Sequence, residues 1–248
     1  MEKTTFDFGF GPVPAHRHAK GGGWVADSAR VADTAFVGSE AQVYGEAQVY
    51  GEARVYGEAQ VCGEAQVYGN AQVYGKARVC DNAQVYGEAQ VYGEAQVYGE
   101  AQVCDKARVC GNVQVCDNAR VCGNVQVYGN AQVCDEARVY GEARVYGNAR
   151  VRGNARVCDE ARVYGEARVC DKARVTITPL VITGLEYVVT VCDNQVQIGC
   201  KTVPAATQLS ADLFPDETCP VLRACAHTLI PLIQGHYARA AQVEVCRD

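Results

Sequence analysis

Ala-Gln-Val-Tyr-Gly-Glu at residues 41–46 is followed by Ala-Gln-Val-Tyr-Gly-Glu at 47–52 and Ala-Arg-Val-Tyr-Gly-Glu at 53–58, and this run decides the fold. Outward from it in both directions a valine recurs at every sixth residue from Val25 to Val175, 26 in all. Two residues before each valine stands an alanine, replaced only by Gly23, Val113 and Val125. A period of six fits neither the 3.6-residue stripe of an α-helix nor the plain alternation of a long strand. A short strand followed by a bend, repeated, does fit. In an extended segment the alanine and the valine share one face, and the residue between them and the one after the valine share the other. Those outward positions are Gln or Arg, then Tyr or Cys. From Gly45 to Asp171 the next position is always Gly or Asp. Glycine enters the left-handed region freely and Asp is among the few other residues that visit it, so this position is the bend.

One such unit cannot bury a face alone, so units must stack, and equal bends close most simply after three. That makes about 18 residues per coil, roughly 8.7 coils, and a rod about 40 Å long at the ~4.8 Å spacing of adjacent strands. Valine and alanine fill the interior. The units over residues 23–175 resemble the hexapeptide-repeat family, whose members form left-handed parallel β-helices of triangular section. Left-handedness runs against the usual crossover rule and is implied by the resemblance alone; right-handed bactofilin-type solenoids are the alternative. The expected fold is thus an all-β solenoid, a single-stranded left-handed parallel β-helix with three hexapeptides per coil, between an N-terminal arm (1–22) and a small α+β C-terminal cap (176–248).

Composition narrows the classes of function. A formal charge of -6 argues against a general nucleic-acid binder. No signal peptide or apolar run of membrane length is expected ahead of the repeats. Of 14 cysteines, nine interchange with tyrosine at a single repeat position, which reads as a reduced, cytoplasmic protein and not as a disulfide scaffold.

Because positions 18 apart stack, the Tyr/Cys position divides into three columns. One is nearly all tyrosine: Tyr56, Tyr74, Tyr92, Cys110, Tyr128, Tyr146 and Tyr164. Cross-coil packing is the plain reading of this ladder, and an aromatic strip for a sugar, a protein partner or a second copy is the functional one. The other columns stack Cys62 on Cys80, Cys104 on Cys122 and Cys116 on Cys134. Equivalent Cβ atoms at the coil spacing stand farther apart than the roughly 3.8 Å of a disulfide, so packing by a small side chain is expected there. A thiolate metal site wants four converging ligands, and these lie along a line.

Charge is graded along the rod. Residues 40–103 hold nine acids and three bases, and residues 104–175 nine acids and twelve bases. Arg138, Arg144, Arg150, Arg156, Arg162 and Arg168 make the far end a candidate contact surface. Opposite signs at the two ends favour head-to-tail association or an acidic partner.

Relatives with this architecture transfer acyl groups from a thioester cofactor with a coil histidine as general base, or hold zinc with coil histidines. Such chemistry needs an imidazole. The four histidines, His16, His18, His227 and His236, all lie outside Val25–Val175. No catalytic residue, metal ligand or cofactor is therefore assigned, and a likeness of fold does not carry activity.

The arm alternates Phe6, Phe8 and Phe10, then runs through Pro12, Pro14 and His16-Arg17-His18 to Gly21-Gly22-Gly23-Trp24. It reads as a cap over the first coil, closed by Trp24; His16, Arg17 and His18 as an anion or metal site are the alternative. After Val175 the period fails. Leu185–Cys192 and Gln195–Cys200 read as a hairpin turning at Asp193-Asn194. Ala205–Phe214 and Cys219 to about Ala241 read as helices, the second kinked at Pro231. With Gly-Gly-Gly-Trp-Val-Ala, the Ala-Arg-Val-Tyr-Gly-Asn type of unit and Val-Gln-Ile-Gly-Cys together, the chain resembles a group of bacterial and prophage hexapeptide-repeat proteins labelled transferase-like by fold. The reading from the residues is a non-enzymatic rigid scaffold that binds a protein or carbohydrate partner or self-associates, as a trimer or head to tail. An acyltransferase is the competing class.

Overall fold

The computed structural model describes residues 4–183, 187–198, 201–204 and 226–245. Each hexapeptide gives one short strand, such as Gln48–Val49 or Arg138–Val139. Strands 18 residues apart pair in parallel and in register, Gln66 with Gln84 and Val67 with Val85. They assemble into an 11-stranded, a 9-stranded and an 8-stranded sheet, the three walls of a parallel β-solenoid. We call the wall of Gln42–Val43 the first, that of Gln48–Val49 the second and that of Arg54–Val55 the third.

The walls enclose a continuous core. Alanines and valines from Val25 to Val175 are almost all fully buried, with Ala29 and Val31 of the first coil only partly covered. Removing one valine side chain from water stabilises by about 1.5–3 kcal/mol, so a core of many small increments replaces the usual large aromatics. Backbone groups are matched coil to coil: Gln48 N donates to Ala65 O at 2.8 Å, Tyr50 N to Val67 O at 3.1 Å and Glu52 N to Gly69 O at 2.9 Å. The ladder therefore continues around the corners.

At the corners the bend residue sits at positive φ, +71° at Gly69 and 60° at Asp81. A Cβ on Gly69 would stand 3.1 Å from Gly87 O of the next coil. Aspartate is tolerated because its carboxylate answers that crowding with a bond: Asp81 Oδ2 accepts from Gly99 N at 3.1 Å and Asp135 Oδ2 from Gly153 N at 2.9 Å. In the repeats Asp occupies the bend only after cysteine, never after tyrosine.

The arm is a hairpin added to the edge of the first wall. Thr5–Asp7 pairs antiparallel with Pro12–Arg17, which pairs antiparallel with Trp24–Ala26 and so extends the first wall. Trp24 does not plug the open end. It occupies an outward position, stacked on Phe6 with ring centroids 4.4 Å apart and under the Arg17 guanidinium at 4.1 Å.

Past the coils, the expected two-stranded hairpin is the middle of a larger antiparallel sheet of four strands, Leu180–Ile182, Val189–Val191, Gln195–Ile198 and Lys201–Pro204. Its turn seals the last coil. Asp193 Oδ2 accepts from Thr176 N at 2.6 Å, Asn194 Oδ1 accepts from Arg174 N at 2.7 Å, and Gln195 Nε2 donates to Cys170 O at 2.9 Å. These satisfy an edge that would otherwise present unpaired backbone groups. The helix Ala226–Val245 runs through Pro231 and packs Leu229 and Ile233 against Val189, Val191 and Val196. The helix expected over 205–214 lies outside the described residues. No helix is long and apolar enough to cross a membrane among the described residues.

Candidate functional surface

The tyrosines of the third wall form two stacks. Tyr56, Tyr74 and Tyr92 lie with centroids 4.8 Å apart and planes within 2° of parallel. Tyr128, Tyr146 and Tyr164 follow beyond Cys110, at 4.9 and 5.4 Å. The ring faces are turned to one another. What the wall presents is a line of ring edges and hydroxyls, not a platform on which a sugar ring could lie flat. Neighbouring side chains pin the hydroxyls: Tyr56 OH donates to Gln72 Oε1 at 3.2 Å, and Arg108 Nη2 donates to Tyr92 OH at 3.1 Å.

Burial raises the phenol of Tyr74 above its ordinary value, reinforced by the neighbouring phenols Tyr92 and Tyr56. Tyr92, and Tyr68 in the stack of Tyr50, Tyr68 and Tyr86 on the second wall, are raised for the same leading reason. The native stack prefers neutral phenol, so its stabilisation is complete below the ordinary value near 10 and is lost as pH rises through the higher folded value. Absorbance titration of phenolate is expected to show a late class of tyrosines that merges with the rest in denaturant. A single class in the native protein would contradict the stacking.

The six arginines named from sequence do not form one patch. Arg138 and Arg156 fall on the second wall, Arg144 and Arg162 on the third, Arg150 and Arg168 on the first. Arg150 and Arg168 line a polar hollow of about 410 Å³ with Gln132 and Glu166, beside the corner of Asn130 and Asn148. That corner carries an amide ladder: Asn112 Nδ2 donates to Asn130 Oδ1 at 3.3 Å and Asn130 Nδ2 to Asn148 Oδ1 at 3.2 Å. The ladder is legible in the sequence as asparagine at three positions 18 apart.

His16, Arg17 and His18 do not converge. Arg17 is engaged with Trp24 and donates to Gly22 O at 2.7 Å. His18 is buried beneath the glycine turn, its Nδ1 3.1 Å from Lys20 O. His16 Nδ1 lies 2.9 Å from Asp27 Oδ1, and His16 lines an open hollow of about 680 Å³ with Arg30, Gln48 and Tyr50. His16 and Asp27 are 55% and 56% exposed, so solvent reaches both partners of the pair.

The cysteine expectation is corrected. Cys62–Cys80, Cys104–Cys122 and Cys116–Cys134 are joined as disulfides with Cα–Cα distances of 4.6, 4.6 and 4.7 Å. These separations lie within the range a disulfide spans. Each sulfur sits one bond beyond its Cβ, so two side chains leaning toward each other meet across the coil spacing. Cys104, Cys122 and Asp105, and likewise Cys116, Cys134 and Asp117, bring three ligand-type atoms within 4.8 Å. With the sulfurs bonded to each other, neither trio offers thiolates to a metal. Among the described residues Cys110, Cys158, Cys170 and Cys192 are free. Peptide mapping after alkylation in denaturant without reductant is expected to find these four labelled and the six paired ones spared. Labelling of those six as well would show thiols in place of the bonds.

The repeats match the family model described as YdcK beta solenoid repeat at residues 47–63, 65–81, 113–129 and 143–159. These matches begin on all three walls, as expected of interchangeable units. Among solved structures the chain is similar to the UDP-N-acetylglucosamine acyltransferase of Arabidopsis, at 13% identity over 61% of this chain and 70% of that one, with a TM-score of 0.39. No curated protein sequence matches it.

Proposed function

We propose that this hexapeptide-repeat β-solenoid is a non-enzymatic rigid scaffold whose long walls are contact surfaces. One observation carries the reading: the strand register holds like side chains in exposed straight lines at the coil spacing. Arg120, Arg138, Arg156 and Arg174 form the longest such charged line, all exposed and in register. A rod of stacked coils gives such a line little freedom, so ordering the surface costs little entropy on binding.

One observation favours an enzymatic reading, the His16–Asp27 pair beside Arg30 and Tyr50. A carboxylate on Nδ1 fixes the tautomer and leaves Nε2 to act as a base. The exposure of both partners weighs against it, since solvent competes for the proton and screens the pair. Calorimetry with an acyl-coenzyme A separates the two readings. The scaffold gives no saturable heat; saturable heat that disappears in His16→Ala would overturn it in favour of acyl transfer.

A further inference from the structure

The outward Gln/Arg position of the second wall is divided in two. From the second coil onward it reads Gln48, Gln66, Gln84 and Gln102, then Arg120, Arg138, Arg156 and Arg174, each paired in register with the next. The other walls mix the two types along their length, with Arg78 on the first and Arg54 and Arg108 on the third among glutamines. The edge leading into the second wall is divided in the opposite sense. Glu46, Glu64 and Glu100 precede glutamines, and Asn118, Glu136, Asn154 and Lys172 precede the arginines. Glutamine strands are thus edged by three carboxylates, whereas the arginine strands with their edge hold five cations and one carboxylate.

Like charges directly opposite on neighbouring strands repel. The four stacked guanidinium groups stand exposed and in register, one above the next. At the corner leading into this wall Asp117 Oδ2 accepts from Asp135 N at 3.3 Å and Asp135 Oδ2 from Gly153 N at 2.9 Å. A partner that brings acceptors along this line relieves the repulsion.

From this arrangement we infer that the second wall docks on the second wall of another copy, with the two rods antiparallel and a two-fold axis crossing between Gln102 and Arg120. The inference rests on reading the walls as contact surfaces. A two-fold axis lying in the interface and across the rods reverses the order of strands but keeps each row facing its own row. Gln48 then faces Arg174, Gln66 faces Arg156, Gln84 faces Arg138 and Gln102 faces Arg120. Every guanidinium meets an amide oxygen, and Arg174, Arg156 and Arg120 also come beside Glu46, Glu64 and Glu100.

Tyr86 falls opposite Tyr140, which is 41% exposed. Tyr140 borders a hollow of about 240 Å³ lined by Arg120, Cys122, Arg138 and Arg156, and this hollow receives Gln84 and Tyr86 of the other copy. Along the far edge one match is unfavourable, Glu88 against Glu142. Eight strands at ~4.8 Å and about five residues of width at ~3.3 Å make a face of roughly 600 Å² per copy. About 1,200 Å² in total is at the lower bound of stable interfaces, so the dimer is salt-sensitive. A parallel pairing would set arginine against arginine.

The test is light scattering on the full chain and on two charge variants. In the acidic variant all four arginines of the row become Glu; in the basic one the four glutamines become Lys. Wild type is expected to be a dimer that dissociates between about 0.1 M and 1 M salt, where the screening length falls from roughly 10 Å to 3 Å. Each variant alone is expected to be monomeric, with dimerisation weakened on the order of 100-fold or more. Mixed, they are expected to form a heterodimer. A wild type monomeric throughout, or soluble folded variants that do not pair, would overturn the inference, as would an assembly indifferent to these changes.

Should a variant fail to fold, a photocrosslinking p-benzoylphenylalanine in place of Gln84 is expected to capture the segment around Arg138 of the other copy. Capture of the segment around Gln84 itself would show parallel rods and refute the arrangement. None of these outcomes depends on acyl-coenzyme A binding, so loss of the dimer and loss of the scaffold reading are separable.

Discussion

Val91→Asp is expected to abolish folding, while Gln90→Asp on the same strand is expected to leave it nearly intact. Val91 is fully buried in the middle of the rod, in register with Val73 below and Val109 above. Its surroundings are valine and alanine side chains, with no hydrogen-bond donor free to serve a carboxylate. An unpaired buried charge costs several kcal/mol, set against a total stability of about 5–15 kcal/mol for a typical domain. In a stack where each coil rests only on its neighbours, a broken coil also separates the two remaining halves. Solubility and a circular-dichroism melt are the measurements. A Val91→Asp protein melting within a few degrees of wild type would mean that this valine does not face a dry interior.

The second large effect is at the bend. Gly69→Val is expected to lower the melting temperature on the order of 10 °C, and Gly69→Asp to lower it by less. Both place a Cβ at φ +71° and 3.1 Å from Gly87 O. For valine nothing offsets the left-handed strain of about 1–3 kcal/mol, and its branched side chain adds to the crowding. Aspartate brings an acceptor to the next bend's N–H, the arrangement already present where Asp105 Oδ2 accepts from Gly123 N at 3.0 Å. Equal losses from the two variants would show that side-chain capping of the next coil contributes nothing.

The parts of the fold that were legible are those whose cause is local. Val49 must be buried and Gly51 must bend whatever surrounds them, so the six-residue unit, the 18-residue register and the tyrosine column all follow from residue types alone. What was not legible depends on a neighbour's exact pose. The Tyr74 ring packs its face on Tyr92 instead of offering it to solvent, and no spacing rule distinguishes those arrangements. Cys62 and Cys80 are bonded because their side chains lean, a freedom that strand spacing ignores. Phe6 and Trp24 meet on an outer surface because the arm returns as an antiparallel hairpin, which the apparent Phe-x-Phe-x-Phe alternation does not specify. The split of the second wall is different in kind. Dividing the Gln/Arg position into thirds, as the Tyr/Cys position divides, exposes it without coordinates.

Gene length in such a chain is constrained by phase. Adding or losing 18 residues lengthens or shortens the rod and returns every later side chain to its own wall. A slip of one hexapeptide would leave the interior undisturbed, since each unit buries the same alanine and valine, yet it would re-address every downstream arginine and tyrosine to the adjoining wall. Variation in tandem copy number is therefore neutral to folding at any multiple of six and neutral to surface pattern only at multiples of three units.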